Sequence, residues 1–533
     1  MTTVLRGGRV IDGSGRADTI ADVVVSGDRI SEVVAPGRGH GTTVIDVGGL
    51  VVAPGFIDMH AHSDLQLLAS PDHAAKVTQG VTCEVIGQDG LSYAPVDDVT
   101  LTQMRQQIAG WNDDLDDAEF TWRSVGEYLD RLDQGIAVNA AYLIPQGTVR
   151  HLVVGPDDRR PSADELRAMQ DVVARGLREG AAGLSAGLTY VPGMYADDDE
   201  LAALLSVVVE GGGYFSPHHR SYGVGAIEAY RDMLALSERT GCPLHLTHAT
   251  LNFACNAGRA SELISLLDDA LERSVDVTID SYPYLPGATT LASLLPSWAA
   301  QGGSEQILHR LADPAERDRI AHHIEVVGSD GWHGVPAEWD TVVISGVADQ
   351  ASADAVGRSI AQIAAERDIE PIEAFFELLV ADRLRTGILL MIGNEDNVRA
   401  LMAHPTHCAG SDAILVGARP HPRAWGTFPE YLGRYVREEG VLDLVDCIHH
   451  MTGRPAARLR LADRGLVRPG HLADLVVFDP STVAARSTYA DPRRPAVGIE
   501  HVWLGGVPTV ESGTPTGALP GRSLRRRADG RLS

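Results

Sequence analysis

The middle of this chain, from about residue 54 to 450, alternates short apolar runs with helix-period stretches, and the two ends do not. Residues 82–86, 140–144, 244–247 and 275–279 read as buried parallel strands. Residues 163–179 and 198–210 carry apolar side chains three and four apart, the spacing of one helix face. Parallel strands need long crossovers, and helices supply them. Alternation sustained over roughly 400 residues therefore predicts an α/β fold, a (β/α) barrel of the TIM type. The ends read differently. Residues 3–53 are short strands and turns, and the pattern returns from about residue 463. The expected division is a small β-sandwich domain built from residues 1–54 and 455–533, and a barrel over 55–454 decorated by a helical insertion around 296–380. The basic tail Arg522-Ser523-Leu524-Arg525-Arg526-Arg527 is expected to be solvated or frayed.

The apolar run 50–57 ends in Asp58-Met59-His60-Ala61-His62. On a strand, residues two apart point the same way, so His60 and His62 project together where strand gives way to loop. Two imidazoles so placed are half of a transition-metal site. In a barrel of this type, chemistry gathers at the C-terminal strand ends. Those ends supply further candidates. Gly87-Gln88-Asp89-Gly90 follows the next strand, and His218-His219-Arg220 follows a glycine turn. Leu244-His245-Leu246-Thr247-His248 is a strand ending in histidine, and Gly410-Ser411-Asp412 ends in a carboxylate.

Composition narrows the partners. With 44% hydrophobic residues in 533, the chain can bury a large core. A formal net charge of −27 disfavours nucleic acid and anionic membrane surfaces. The chain shows no apolar run of membrane-spanning length, and its N-terminus has no signal-peptide pattern. Five scattered cysteines without a C-x-x-C pair point to a reduced, cytoplasmic protein.

Two histidines, two single histidines from later strands and a late aspartate form a set that resembles the amidohydrolase superfamily, which implies a metal-dependent hydrolase on a distorted (β/α)8 barrel, TIM-like. Longer motifs narrow the likeness to the N-acyl-D-amino-acid deacylase (D-aminoacylase) family: Pro71 to Thr82, Gly183 to Gly193, Tyr282-Pro283-Tyr284-Leu285-Pro286-Gly287 and His421-Pro422-Arg423. The likeness runs over nearly the whole chain. It implies a metal centre held by His60, His62, Asp89, His218 and His248, with one or two zinc ions; manganese or iron also suits so oxygen-rich a donor set. The family's bridging cysteine in a Gly-Asn-Cys-Gly turn is matched by Asp89, while Cys83 falls inside a strand. For the adjacent pair, the family pattern His-x-Arg fits His218 with Arg220, leaving His219 to packing.

The resemblance further implies that Asp412 is the catalytic acid/base. Arg423 would grip a substrate α-carboxylate, and Tyr190 and Tyr282 would touch the substrate. The expected reaction is hydrolysis of a linear amide, an N-acyl-D-amino acid, by an enzyme whose partner is that small molecule; homo-oligomerisation is left open. Two departures bear on substrate range. The family's His-x-Lys is here His248-Ala249-Thr250, and its serine after the Tyr-Pro-Tyr stretch is Ala288. The rival activity is cyclic-amide hydrolysis of the hydantoinase or dihydroorotase kind, which usually needs a carboxylated bridging lysine. Lys76, the sole lysine, precedes a strand and is expected to face the wrong end of the barrel. A non-catalytic metal-binding protein is the other rival, and the complete histidine set with Asp412 argues against it.

Overall fold

The computed structural model describes residues 2–533. Eight parallel strands form the barrel wall: β1 (Phe56–Asp58), β2 (Val81–Ile86), β3 (Asn139–Pro145), β4 (Gly183–Gly187), β5 (Phe215–His218), β6 (Leu244–Leu246), β7 (Val277–Ser281) and β8 (His407–Ala409). Neighbours in sequence are neighbours in the sheet, and β7 pairs directly with β8. The ring closes between β8 and β1 through one isolated parallel bridge, Ala61 to Ala413. Nearly every residue of these strands is buried, which is why they read as continuous apolar runs without alternation.

The crossover helices start where the sequence places caps. Helix Ala163–Arg178 opens on a capping box between Ser162 and Glu165, and Asp198–Glu210 opens on the Asp197 carboxylate. Their apolar faces pack on the barrel in one large core shared with Leu184, Leu244 and Ile279.

Strands from both ends of the chain hydrogen-bond into a single nine-stranded sheet. Leu475–Phe478 lies antiparallel to Val51–Pro54, joining the C-terminal strands to the N-terminal ones. The insertion is wider than the sequence suggests and is not purely helical. Gly287–Thr290, Val342–Gly346 and Gly387–Leu390 form a three-stranded antiparallel sheet, and a separate core around Trp332, Trp339 and Phe375 holds it together. Pairings between residues this far apart leave no local periodicity to read.

The tail overturns its expectation. Ser523–Leu524 adds beside β3, and Leu524 and Leu532 are fully buried. Arg526 donates to the carbonyls of Ala181, Ala182, Gly212 and Gly530. Its guanidinium serves as a fork of donors to backbone oxygens, a use that a count of positive charges does not reveal.

Candidate metal centre

The C-terminal ends of β1, β2, β5, β6 and β8 converge on one buried cluster. His60, His62, Asp89 and Asp412 present ligand atoms within 4.8 Å of one another, and Asp89, His218 and His248 do the same. Asp89 belongs to both groups. The chain turns sharply to place these side chains: Asp89 (φ 54°), His248 (φ 31°) and Asp412 (φ 48°) all lie in the left-handed region, costly for residues with a Cβ. The turn bearing Asp89 is flanked by Gly90 (φ +70°), where a Cβ would meet the Gly187 nitrogen at 2.4 Å.

The spacing suits a metal. His60 Nε2 and His62 Nε2 are 3.4 Å apart, and Asp412 Oδ1 is 3.6 and 3.2 Å from them. Asp89 Oδ1 is 3.6 Å from His60 Nε2, and its Oδ2 is 3.5 Å from His62 Nε2. On the other side, Asp89 Oδ2 lies 3.5 Å from His218 Nδ1 and 3.6 Å from His248 Nε2, which are 3.0 Å apart. Four tetrahedral donors each about 2.0–2.2 Å from an ion stand about 3.3–3.6 Å from one another. The buried Asp89 Oδ1 has no hydrogen-bond donor, so this carboxylate oxygen is held ready for a cation.

Charge follows the same logic. Burial would raise the Asp89 carboxyl, but the His60, His248 and His218 imidazoles outweigh it and hold it well below the carboxylate range. Burial lowers the His60 imidazolium, yet Asp89 and Asp412 hold it well above the usual value. His218 is pushed down to about 4 by burial, leaving the neutral imidazole that ligates metals. Supporting groups hold these residues in place. Thr189 Oγ1 is 2.6 Å from His218 Nε2, and Asp280 accepts from the His248 backbone N–H and lies 2.9 Å from His245 Nε2. Neither Thr189 nor Asp280 stands out in the sequence, because their partners come from other strands.

His219 packs between the tilted rings of Tyr222 and Tyr230 and belongs to neither donor group. Cys83 is buried in β2 among apolar neighbours, its thiol pushed up to about 12 by burial, outside both donor groups. His245 pairs with Asp280 and Thr278 instead of the cluster. Lys76 belongs to neither donor group; it is ion-paired with Asp58 and Glu84. Tyr190 and Tyr282 line the cleft above the cluster, with Trp111, Tyr222, His333 and Thr289, which the sequence reading missed. Three of these come from long loops or the insertion, where only the folded chain shows proximity. Arg423 is placed differently from the residues lining the cleft. It is fully buried, its Nη2 2.8 Å from Asp412 Oδ2, and its guanidinium carbon lies 4.3 Å from the Tyr282 ring centre.

Known proteins match this architecture closely. Residues 43–510 match the model of the amidohydrolase family. D-aminoacylase of Alcaligenes xylosoxydans xylosoxydans is 33% identical over 528 residues, 98% of each chain. N-acyl-D-glutamate deacylase of the same organism is 34% identical over 98% of this chain and 96% of its own. Among solved structures, N-acyl-D-glutamate deacylase from Bordetella bronchiseptica, complexed with zinc and a phosphonate mimic of the tetrahedral intermediate, superposes with a TM-score of 0.84. It is 31% identical and covers 98% of this chain and 99% of its own. The chain belongs to the amidohydrolase family, in its N-acyl-D-amino-acid deacylase branch.

Proposed function

We propose that this amidohydrolase cleaves the linear amide of an N-acyl-D-amino acid, releasing a carboxylate and a D-amino acid. One observation carries the reading: Asp89 is shared by two donor groups directly beneath a cleft that Asp412 also faces. His60, His62 and Asp89 on one side, and Asp89, His218 and His248 on the other, would hold one or two ions. We propose zinc, which accompanies the related Bordetella enzyme. Such an ion supplies Lewis-acid polarisation of a carbonyl and eases deprotonation of water.

The chain's own residues do the rest. Asp412 is held ionised: burial opposes this, but Arg423 and His60 outweigh it. It faces the cleft as a proton acceptor for the attacking water. As the acyl C–N bond breaks, it returns that proton to the leaving nitrogen. Arg423 is a buried guanidinium whose Nη2 pairs with Asp412 while its Nε and Nη1 lack a hydrogen-bond acceptor. A substrate α-carboxylate drawn in beside Tyr282 would satisfy them. Tyr190 and Tyr282 offer hydroxyls along the same wall. Thr250 and Ala288, where the family has lysine and serine, line this cleft too, so the α-carboxylate rests on Arg423 more heavily here.

Among the described residues, no helix is long and apolar enough to cross a membrane. Five unpaired cysteines, four of them buried, support a reducing cytoplasmic setting. We read residues 1–54 and 455–533 as one unit and 55–454 as the catalytic one. Metal analysis joined to parallel assays on N-acetyl-D-amino acids and hydantoins tests the reading. Metal-dependent release of free D-amino acid is the expected result; turnover of hydantoins alone would replace it with the cyclic-amide activity.

A further inference from the structure

Of the 45 Lys and Arg residues in this chain, one is a lysine, and it is wholly buried. Lys76 sits on the short helix Ala74–Val77 that leads into β2. Its Nζ donates to Asp58 Oδ2 at 2.5 Å and to Ser411 Oγ at 2.9 Å, and lies 2.6 Å from Glu84 Oε1. An ammonium is compact and presents three donors in three directions; a guanidinium is a flat fork on a longer reach. Three acceptors around one point suit the first and not the second. The chain's one lysine stands where three acceptors surround a single point, and every other basic side chain is an arginine.

The acceptors lead directly to the metal centre. Asp58 Oδ1 accepts from the backbone N–H of His60 (3.2 Å) and from that of Ser411 (2.8 Å). Ser411 Oγ donates to the His60 carbonyl at 3.1 Å and accepts from the Ala413 N–H. The Asp412 N–H donates to that same His60 carbonyl at 2.8 Å. The backbone on either side of Asp412 and the backbone of His60 are thus tied through two side chains, and the ammonium of Lys76 holds both. This tie lies at the seam where the barrel ring closes, between β1 and β8, which are joined by one isolated bridge and the backbone hydrogen bonds of Met59 to Ala409, Asp412 to His60 and His62 to Ala413.

We propose that Lys76 is a positioning residue for the metal centre: through Asp58 and Ser411 it sets the distance between the strand end bearing His60 and His62 and the strand end bearing Asp412. The inference rests on the metal-centre reading above. It does not make Lys76 a ligand or a proton carrier, since its partners stand between it and the cluster.

Wild type, Lys76→Met and Ser411→Ala decide the matter when each is measured well below its melting temperature. Zinc affinity is read by chelator competition, site geometry by the visible absorption of the cobalt(II) form, and turnover by kcat and KM. Lys76→Met is expected to bind zinc roughly 10–100-fold more weakly, to show a changed cobalt spectrum, and to lose about tenfold or more in kcat with KM within about threefold of wild type. Ser411→Ala, which removes one hydroxyl, should move the same readouts the same way by less. A lower melting temperature with zinc affinity, cobalt spectrum and kcat unchanged would make Lys76 a stabilising residue only and overturn the inference. Should Lys76→Met not fold, Ser411→Ala decides by the same criteria. A wild type that binds neither zinc nor cobalt overturns the metal-centre reading and this inference with it. A metal-loaded, active wild type with indifferent variants overturns the inference alone.

Discussion

Arg423 and Asp412 form an ion pair, 2.8 Å from Nη2 to Oδ2, with the arginine fully buried behind the cleft and the aspartate lining it and reaching the cluster of imidazoles. The group expected to handle the substrate's charge and the group expected to handle its proton are therefore in contact. On the proposed reading, a substrate carboxylate entering beside Tyr282 would share the guanidinium with Asp412, and binding and proton transfer would be coupled through one side chain.

Replacing Asp412 with asparagine keeps size and packing but removes the proton acceptor. Turnover should fall by about 10²–10⁴-fold, the usual range for general acid–base groups, while bound metal stays near wild-type content. Activity within a few-fold of wild type would remove Asp412 from the mechanism.

Asp89 stands in both donor groups, so Asp89→Ala should lower metal content measurably by elemental analysis. Asp89→Cys should restore part of it, because a thiolate also ligates zinc. Cys83→Ser, in the strand below, should cost stability but leave metal content alone. The reverse pattern would put the bridge at Cys83.

Arg423→Ala should raise KM for free N-acyl-amino acids strongly. Loss of a buried charge-assisted contact costs roughly 2–5 kcal/mol. A neutral amide analogue should lose far less, limited to the disturbance of Asp412. Arg423→Lys should rescue poorly, since an ammonium lacks the planar fork. Equal losses on charged and neutral substrates would show that the arginine supports the fold and not the substrate.

Away from the centre, Glu430 offers a pH test of stability. Burial raises its carboxyl from 4.5 to about 7, and Arg434 only partly offsets this. The folded state then keeps a proton that the unfolded chain has released, so stability declines as pH rises from about 4.5 through about 7. Glu430→Gln removes this loss. Its melting temperature relative to wild type should climb between about pH 5 and pH 8, by an amount equivalent to about 1–3 kcal/mol. A difference that stays flat over that range would show that Glu430 is ionised in the folded protein.

The barrel was legible because its strands are buried on both faces and its helices are amphipathic, so each element carries its own periodic signature: Asp198–Glu210 is found where its spacing predicts it. The donor cluster was legible because His60, His62, Asp89, His248 and Asp412 all lie at strand ends, and the fold rule brings such ends together. Three things were not. Asp280 and Thr189 act on residues of neighbouring strands, so nothing near them in sequence marks their task. The sheet of the insertion joins Gly287–Thr290 to Gly387–Leu390 across about a hundred residues, a pairing with no local trace. The tail reads as a run of charges, yet Arg526 spends its donors on backbone carbonyls.

Because Val51–Pro54 pairs with Leu475–Phe478, the strand that leads into His60 gains its outer neighbour only after nearly all of the chain has been synthesised. On the ribosome Val51–Pro54 emerges early, and the edge that Leu475–Phe478 will cover stays unpaired until those residues follow. Translation that stalled before residue 475 would leave an exposed strand edge open to pairing with another chain.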